Sequence, residues 1–325
     1  MHNDLIPILL IGNNRLAYSI AVCLLAGGHP VTLLTGSEEE AKRGINTHLH
    51  EMEVSGYKAP QGYTLQITKE INNPVNDPLV ILITEEEIRA KVKYIQLVER
   101  YISPDSIIAV NTESISLNSL QRKSHYPNRV IGANWMEPAH TTLFLEIIAN
   151  GNVDPKYIQS LLYFAKTSWQ KDPYMVSGDC SVYAKLFASM AREAFYLVQN
   201  GFATIEDIDR ACRNDAGYYA PFAGNCRYMD LMGTYAYGKV MKGLNPTLSK
   251  ATGTPPFFNK IIEEGGNGIE NGRGFYQYSV KSVRKWISTF RGFSYQIKRI
   301  MDKYPFNDLK NSIPSEGITR TNGQE

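Results

Sequence analysis

The sequence predicts an α/β fold built on a doubly wound parallel sheet, and three observations predict it. The chain has 325 residues, 43% hydrophobic and 20% charged, the composition of an ordinary globular protein with room for about two domains. An apolar run, Leu5 to Ile11, ends at Gly12 and is followed by a helix-like stretch, Leu16 to Ala26, and a second run, Val31 to Leu34. This unit is about thirty residues long, the size of a first Rossmann crossover. Further apolar runs at Leu79 to Thr84, Ser106 to Asn111 and Arg129 to Ala133 alternate with helical segments such as Glu86 to Tyr101. Such alternation argues for a parallel sheet covered by helices.

Taken in order, Leu5 to Ile11 is too short to span a bilayer, and no basic n-region or cleavage site marks a signal peptide. The first helix closes on Gly27-Gly28 as a C-cap. The formal net charge of +2 gives no global field for nucleic acid or an anionic membrane. Cys23, Cys180, Cys212 and Cys226 are scattered without zinc spacing and suit a reduced interior, so a soluble cytoplasmic protein is expected.

The turn after the first strand reads Gly12-Asn13-Asn14-Arg15-Leu16-Ala17, where a dinucleotide fingerprint reads Gly-x-Gly-x-x-Gly/Ala. Gly12 suits the tight turn and Ala17 is an allowed third position. Asn14 stands where a missing side chain lets pyrophosphate approach the backbone, and so narrows the site. Asn tolerates left-handed backbone angles, and Arg15 beside a helix N-terminus adds positive charge for a pyrophosphate. The same turn also reads as a strand-to-helix connection that binds nothing. The second strand ends in Thr35-Gly36-Ser37 rather than the carboxylate that holds an adenosine ribose. NAD loses that contact, whereas NADP gains from the missing repulsion, with Ser37, Lys42 and Arg43 nearby. The other reading of these residues is a cap for a helix over Glu38 to Arg43.

The segment Arg129 to Ile148 contains Gly132, Asn134, Pro138 and Glu146. It resembles the active-site segment of the 3-hydroxyacyl-CoA dehydrogenases, in which Gly-x-His-x-x-x-Pro is followed, twelve residues after the His, by a Glu that orients it. Here the His position is Asn134. The resemblance covers roughly residues 4 to 278. It includes Ala26-Gly-Gly-His-Pro-Val31, the stretch Val80 to Lys91, the turn Asn111-Thr112-Glu113-Ser114, Arg192-Glu193-Ala194 and Gly201 to Asp209. Gly217 to Leu231 follows, with Asn225 and Cys226 in place of a Pro and a Phe, and Gly268-x-x-x-Gly272-x-Gly274-Phe275-Tyr276-x-Tyr278 closes the pattern. Thr204 and Asp207 also form a capping-box signal in their own right.

The resemblance implies a Rossmann-type doubly wound parallel sheet followed by an all-α domain: residues 1–177, then a helical substrate and dimerisation domain, 178–278. It implies a homodimer, NAD or NADP as cofactor, and a CoA thioester or related hydroxy acid as substrate. Gly12, Asn14, Arg15, Ala17, Thr35, Glu86, Lys91 and Asn111 then fall at the cofactor. Glu113 takes the place of a substrate-contacting Ser, and Ala184, with Lys185 next, that of a substrate-binding Asn.

Oxidising a hydroxyacyl group needs a hydride acceptor and a base for the hydroxyl proton. Asn134 has no titrating group but can hydrogen-bond a carbonyl or hydroxyl, and losing the base costs about 10²–10⁴-fold in rate. Glu146 is left without an imidazole and reads as a strand-end residue paired with a cation or water. His140, six residues past Asn134, is a replacement base or else a surface-loop His. Two readings follow: an oxidoreductase with a rearranged site, or an inactive family member serving as a nucleotide-binding or scaffold protein. His48 and His50 could share a strand face as metal ligands, but no third ligand is fixed nearby and a solvated helix or loop is the default, so no metal is expected. Tyr218 to Phe222 reads as core or cleft wall.

Residues 279–325 form a basic extension. Val283, Trp286, Ile287, Phe290, Ile297, Ile300, Met301 and Tyr304 recur at helical spacing opposite Lys281, Arg284, Lys285, Arg291, Lys298, Arg299 and Lys303. This predicts an amphipathic helix, or a pair meeting at Gly292, docked on its own domain or a dimer partner, with a membrane surface or an acidic partner as alternatives. From Ser312 the polar tail is expected to be disordered.

Overall fold

A computed structural model describes residues 5–71 and 76–306; the tail expected from Ser312 lies outside them. The strands are β1 (Ile8–Ile11), β2 (Val31–Leu34), β3 (Leu65–Thr68), β4 (Leu79–Leu82), β5 (Ile107–Val110), β6 (Val130–Trp135), β7 (Leu145–Ala149) and β8 (Tyr174–Ser177). Helices α1 (Arg15–Ala26), α2 (Glu38–Val54), α3 (Ile88–Val98), α4 (Leu117–Gln121) and α5 (Pro155–Thr167) are interleaved with them. After β8 come α6 (Val182–Gln199), α7 (Ile205–Asn214), α8 (Ala216–Met232), α9 (Thr234–Leu244), α10 (Pro256–Glu263) and α11 (Val280–Lys303).

The eight strands form one sheet in the order β3-β2-β1-β4-β5-β6-β7-β8. Every neighbouring pair is parallel except β6 with β7. The strand order reverses between β1 and β4, so the ends of those strands open the crevice where such sheets bind ligands. β1, β4 and β5 are buried at every residue, as the unbroken apolar runs of a sheet covered on both faces require. The sequence signals located these strands to within three residues, and helix α3 is shorter than the Glu86 to Tyr101 stretch because Glu87 accepts the Arg89 and Ala90 N–H groups as its N-cap. β3, β7 and β8 gave no signal of their own.

Two compact units divide the chain. One takes in the chain up to Phe195 and Thr254–Tyr295; the other takes in Tyr196–Gly253 and the chain from Gln296. In the second unit α7 begins with the predicted capping box between Thr204 and Asp207. α8 is interrupted at Gly224, whose φ of 63° is left-handed. Its aromatic stretch is not core: Tyr218 is 85% exposed, and Phe222 is exposed as well. Ala223 is the one buried hydrophobic residue of this unit among the described residues.

α11 runs through Gly292 without a break. Arg291 Nη1 meets Glu51 Oε1 of α2 at 2.8 Å, and the Tyr295 ring lies 5.0 Å from that of Tyr57. Within the first unit the extension therefore docks on its own domain, while Trp286, Phe290 and Phe293 stay exposed. Among the described residues no helix is long and apolar enough to cross a membrane, and the four cysteines are free thiols.

Candidate active site

The β1–α1 turn is shaped by close packing. A Cβ on Gly12 would meet the Ala17 Cβ at 2.5 Å and the Ile83 carbonyl oxygen at 3.1 Å, so the turn needs glycine and a small third position. Asn14 is extended, at φ −150°, rather than left-handed; its Oδ1 accepts the Ala17 N–H at 2.9 Å and caps α1. Asn13 Oδ1 accepts protons from Thr35 Oγ1 at 2.8 Å and Tyr18 Oη at 3.3 Å. Asn13 is thereby folded onto the protein, whereas Asn14 spends its side-chain oxygen on the α1 N-terminus and narrows the approach there. The buried Thr35 spends its proton on the turn, a supporting position in place of the expected ribose contact. Arg15 Nε lies 3.5 Å from Glu137, so its charge is shared. α1 has no acid in its first turn, and the turn fits a pyrophosphate. Ser37 caps α2 by accepting the Glu40 N–H, and Lys42 pairs with Glu38 and Glu39, which is the capping alternative for that stretch.

Past the ends of β4 and β5, Lys91 is fully buried. Its Nζ donates to the Asn111 carbonyl at 2.7 Å and to Asn111 Oδ1 at 3.1 Å, and meets Glu86 Oε2 at 3.0 Å. Burial pulls the Lys91 pKa down while Glu86 holds it up. Glu86 Oε1 accepts the backbone N–H groups of Glu113, Ser114 and Ile115 at 3.0, 2.7 and 3.0 Å. Burial opposes the Glu86 charge, but the Ser114 and Ile115 N–H groups and Lys91 outweigh it and hold the carboxyl below its usual range. Glu86, Lys91 and Asn111 thus form one knot that fixes the loop carrying Glu113.

The twelve-residue spacing has a geometric cause. β6 and β7 are antiparallel, and Asn134 faces Glu146 directly across them. A Cβ on Gly132 would come 2.8 Å from that of Ile148, so the family glycine keeps this pair of strands close. Asn134 is 2% exposed. Its Oδ1 accepts the Thr112 N–H at 2.7 Å, and its Nδ2 donates to the Thr112 carbonyl at 2.8 Å and to Glu146 Oε2 at 2.9 Å. Both amide protons are used, so the side chain ties β5 to β6 instead of reaching a substrate. Glu146, 0% exposed, accepts at Oε1 from Tyr174 Oη at 3.0 Å and from the Val182 and Tyr183 N–H groups at 2.9 and 3.0 Å. It anchors the N-terminus of α6 in place of the expected cation or water. Burial opposes its charge, but bonds from Ser181, Tyr183, Asn134 and Tyr174 hold its carboxyl below the usual range.

Glu113 differs from both. Glu113 is exposed as a residue; partial burial of its carboxyl, then repulsion from Glu86, raises its pKa, with Lys91 opposing and Glu146 adding to the rise. Tyr183 lies in the fields of Glu113 and Glu146, and burial with those charges raises its phenol pKa. Ala184 follows Tyr183 in the first turn of α6, its N–H donating to Ser181 Oγ, and Lys185 is exposed. Tyr174, Ser181 and Tyr183 are the participants the motifs did not reveal; Tyr183 could have been found as the neighbour of Ala184, while Tyr174 had no signal.

His140 is neither a surface residue nor part of this group. Its ring packs 4.9 Å from His48 and 5.9 Å from Tyr295, against α2 and α11. Burial, with Lys171 adding, pushes its pKa down to about 3, too low for it to hold a proton near neutral pH. His48 is buried on α2 while His50 is exposed, because residues two apart on a helix diverge. No group of three or more metal-ligating side chains occurs among the described residues.

A doubly wound sheet with a tight glycine turn after its first strand, followed by a helix anchored on a buried acid, is an architecture suited to binding a dinucleotide. Residues 8–180 match the family model of the 3-hydroxyacyl-CoA dehydrogenase NAD binding domain, and residues 182–278 that of its C-terminal domain. The chain belongs to the 3-hydroxyacyl-CoA dehydrogenase family, a family of NAD-dependent oxidoreductases. It is 25% identical over 285 residues, 85% of this chain and 92% of the relative, to 5-formyl-3-hydroxy-2-methylpyridine 4-carboxylate 5-dehydrogenase of Mesorhizobium japonicum. It is 25% identical over 221 residues to the fatty acid oxidation complex subunit alpha of Shewanella loihica, a match spanning 68% of this chain but 30% of that protein. A crystal structure of a 5-formyl-3-hydroxy-2-methylpyridine 4-carboxylic acid 5-dehydrogenase, an NAD+-dependent dismutase, superposes with a TM-score of 0.84 at 24% identity, covering 91% of this chain and 98% of that one. That likeness concerns the fold.

Proposed function

We propose that this protein is an NAD(P)-dependent oxidoreductase that interconverts a secondary hydroxyl and a carbonyl, with Glu113 as the general base. The substrate class carried over from the family is a 3-hydroxyacyl-CoA or a related hydroxy acid. One observation carries the reading: the amide at the family's base position is saturated by Thr112 and Glu146, while Glu113 is an acid with a raised pKa beside it. Elevated carboxyl pKa values suit proton transfer near neutral pH. The nicotinamide, when bound, supplies the hydride acceptor or donor. The chain's own residues do the rest: Gly12 and the α1 N-terminus receive the pyrophosphate, the Glu86–Lys91–Asn111 knot fixes the 113–115 loop, and the Glu113 carboxylate takes the hydroxyl proton. Asn134 and Glu146 are positioning residues that hold β5, β6 and α6 in register.

The family's dimer fits the second unit. α7 and α9 bury no residue, and α8 buries only Ala223. Helices of this length are marginal in water without tertiary burial, so we infer that a second copy of the chain supplies the missing apolar contacts. The sequence boundaries 1–177 and 178–278 are the proposed domains, with 279–325 as the extension. The free cysteines fit a reducing cytoplasm.

The test combines titration with NADH and NADPH by fluorescence and an assay of acetoacetyl-CoA reduction. Cofactor binding with turnover that falls about 100-fold or more in Glu113→Gln, at unchanged cofactor affinity, is the expected result. Binding without turnover on any hydroxy or keto substrate would leave the scaffold reading.

A further inference from the structure

Resting on the oxidoreductase reading above, we propose that the substrate carries an ammonium-class cation beside its carbinol carbon, held against the Phe144, Tyr183 and Phe187 rings in the field of Glu146. The charge balance of the site leads there. Glu146 is wholly buried, yet its hydrogen-bond partners Asn134, Tyr174, Val182 N–H and Tyr183 N–H are all neutral. It makes no ion pair among the described residues. Neutral donors stabilise a carboxylate without cancelling its charge, and a buried charge lacking a counter-ion is costly. The α6 N-terminus offsets only about half an elementary charge.

The surroundings deepen the deficit. Asn134, across the strand pair, is an amide, and Glu113 adds a second carboxylate. Lys91 opposes the rise at Glu113, and it is already matched by Glu86 at 3.0 Å. Lys185 is exposed to solvent. With Lys91 and Glu86 cancelling, Glu113 and Glu146 leave the site negative.

Beside these acids stands an aromatic cluster. The Phe144 ring lies 5.3 Å from that of Tyr183 and 5.9 Å from that of Tyr174, and Tyr183 stacks on Phe187 at 6.4 Å. Phe187 is 57% exposed, so this wall is open. Ring faces carry negative potential and attract onium groups. An acyl chain could lie on the rings but gains nothing from the carboxylates, and a carboxylate next to the carbinol is repelled by them. A cation is favoured by both. In the reaction the carbinol C–H bond breaks with its hydride going to the nicotinamide, the O–H bond breaks with its proton going to Glu113, and the C=O bond forms.

The experiment compares β-methylcholine, its uncharged carbon isostere and 3-hydroxybutyrate with the full chain saturated in NAD+ or NADP+. Binding is read by calorimetry and turnover by cofactor reduction. The expected result is affinity for β-methylcholine about tenfold or more above the isostere, weaker binding still for 3-hydroxybutyrate, and a preference reduced about threefold or more in Phe187→Leu. Preferential binding with no reduction of the cofactor on any substrate keeps the cation site and removes the redox reading. Equal binding of the isostere, preference for the anion, or no binding of β-methylcholine overturns the cation site. If 3-hydroxybutyryl-CoA is then oxidised, the redox reading stands without it.

Discussion

Asn134 and Glu113 occupy two positions from one family site and have opposite fates. Asn134 is sealed in the sheet with its amide protons spent on Thr112 and Glu146. Glu113 sits on a loop fixed by its own backbone N–H to Glu86, with its carboxyl left under repulsion from Glu86 and Glu146. One is part of the scaffold, whereas the other carries an ionisable group. A side chain at such a position can thus be absorbed by the fold or left ionisable.

The largest expected effect sets the two positions apart by rate. Glu113→Gln lowers kcat about 10²–10⁴-fold with the melting temperature unchanged; a loss below tenfold would mean that another group moves the proton. Next comes stability. Asn134→Ala strands the Thr112 N–H and carbonyl and one Glu146 oxygen in the sheet, and chemical denaturation should show a loss of about 3 kcal/mol, against less than about 1 kcal/mol for the loop change at Glu113.

Acidity separates the regions further. A base with a raised pKa gives a kcat/KM that rises with pH, with its midpoint above the ordinary carboxylate range, and this limb should vanish in Glu113→Gln. The His48 and His140 pair predicts a distinct effect on stability. Their pKa values fall from 6.5 in free histidine to about 2 and about 3 when folded. Below pH 6.5 the unfolded chain binds more protons than the folded one, so stability is present above that pH and lost as pH drops toward about 3. Each histidine contributes up to about 1.4 kcal/mol per pH unit. Replacing both with phenylalanine should flatten the slope of unfolding free energy between pH 6 and pH 4 in urea titrations; an unchanged slope would contradict the burial of the pair. The smallest effect concerns the cofactor turn. Asn14→Gly gives up a cap at a cost of a few tenths of a kcal/mol and should tighten NADH binding a few-fold in a fluorescence titration by clearing the pyrophosphate approach.

Much of the scaffold was legible because it follows from local rules. Strands β1, β2, β4 and β5 were visible as apolar runs, Thr204 and Asp207 as a capping box, and Gly12 with Ala17 as a turn that only small residues can pack. β3, β7 and β8 were not: β3 and β8 are short edge strands whose side chains lie largely outside the core, and β7 lies within the segment read as a motif. The motifs singled out residues that the fold brings together: Glu146 bonds Asn134, and Lys91 meets both Glu86 and Asn111. Their roles were not legible. Asn14 turned out to be a cap, Thr35 a brace for the turn, and Glu146 the anchor of α6.

The sequence by itself determined the fold class and the family, because those are properties of residue type and spacing. Only the tertiary structure decided that His140 belongs to a buried cluster with His48 and Tyr295, and that Asn134 is saturated while Glu113 is not. Hydrogen-bond satisfaction and electrostatic environment depend on which groups the fold brings within a few ångströms, and residues such as Asn134 and Thr112, or Glu146 and Tyr183, lie far apart along the chain.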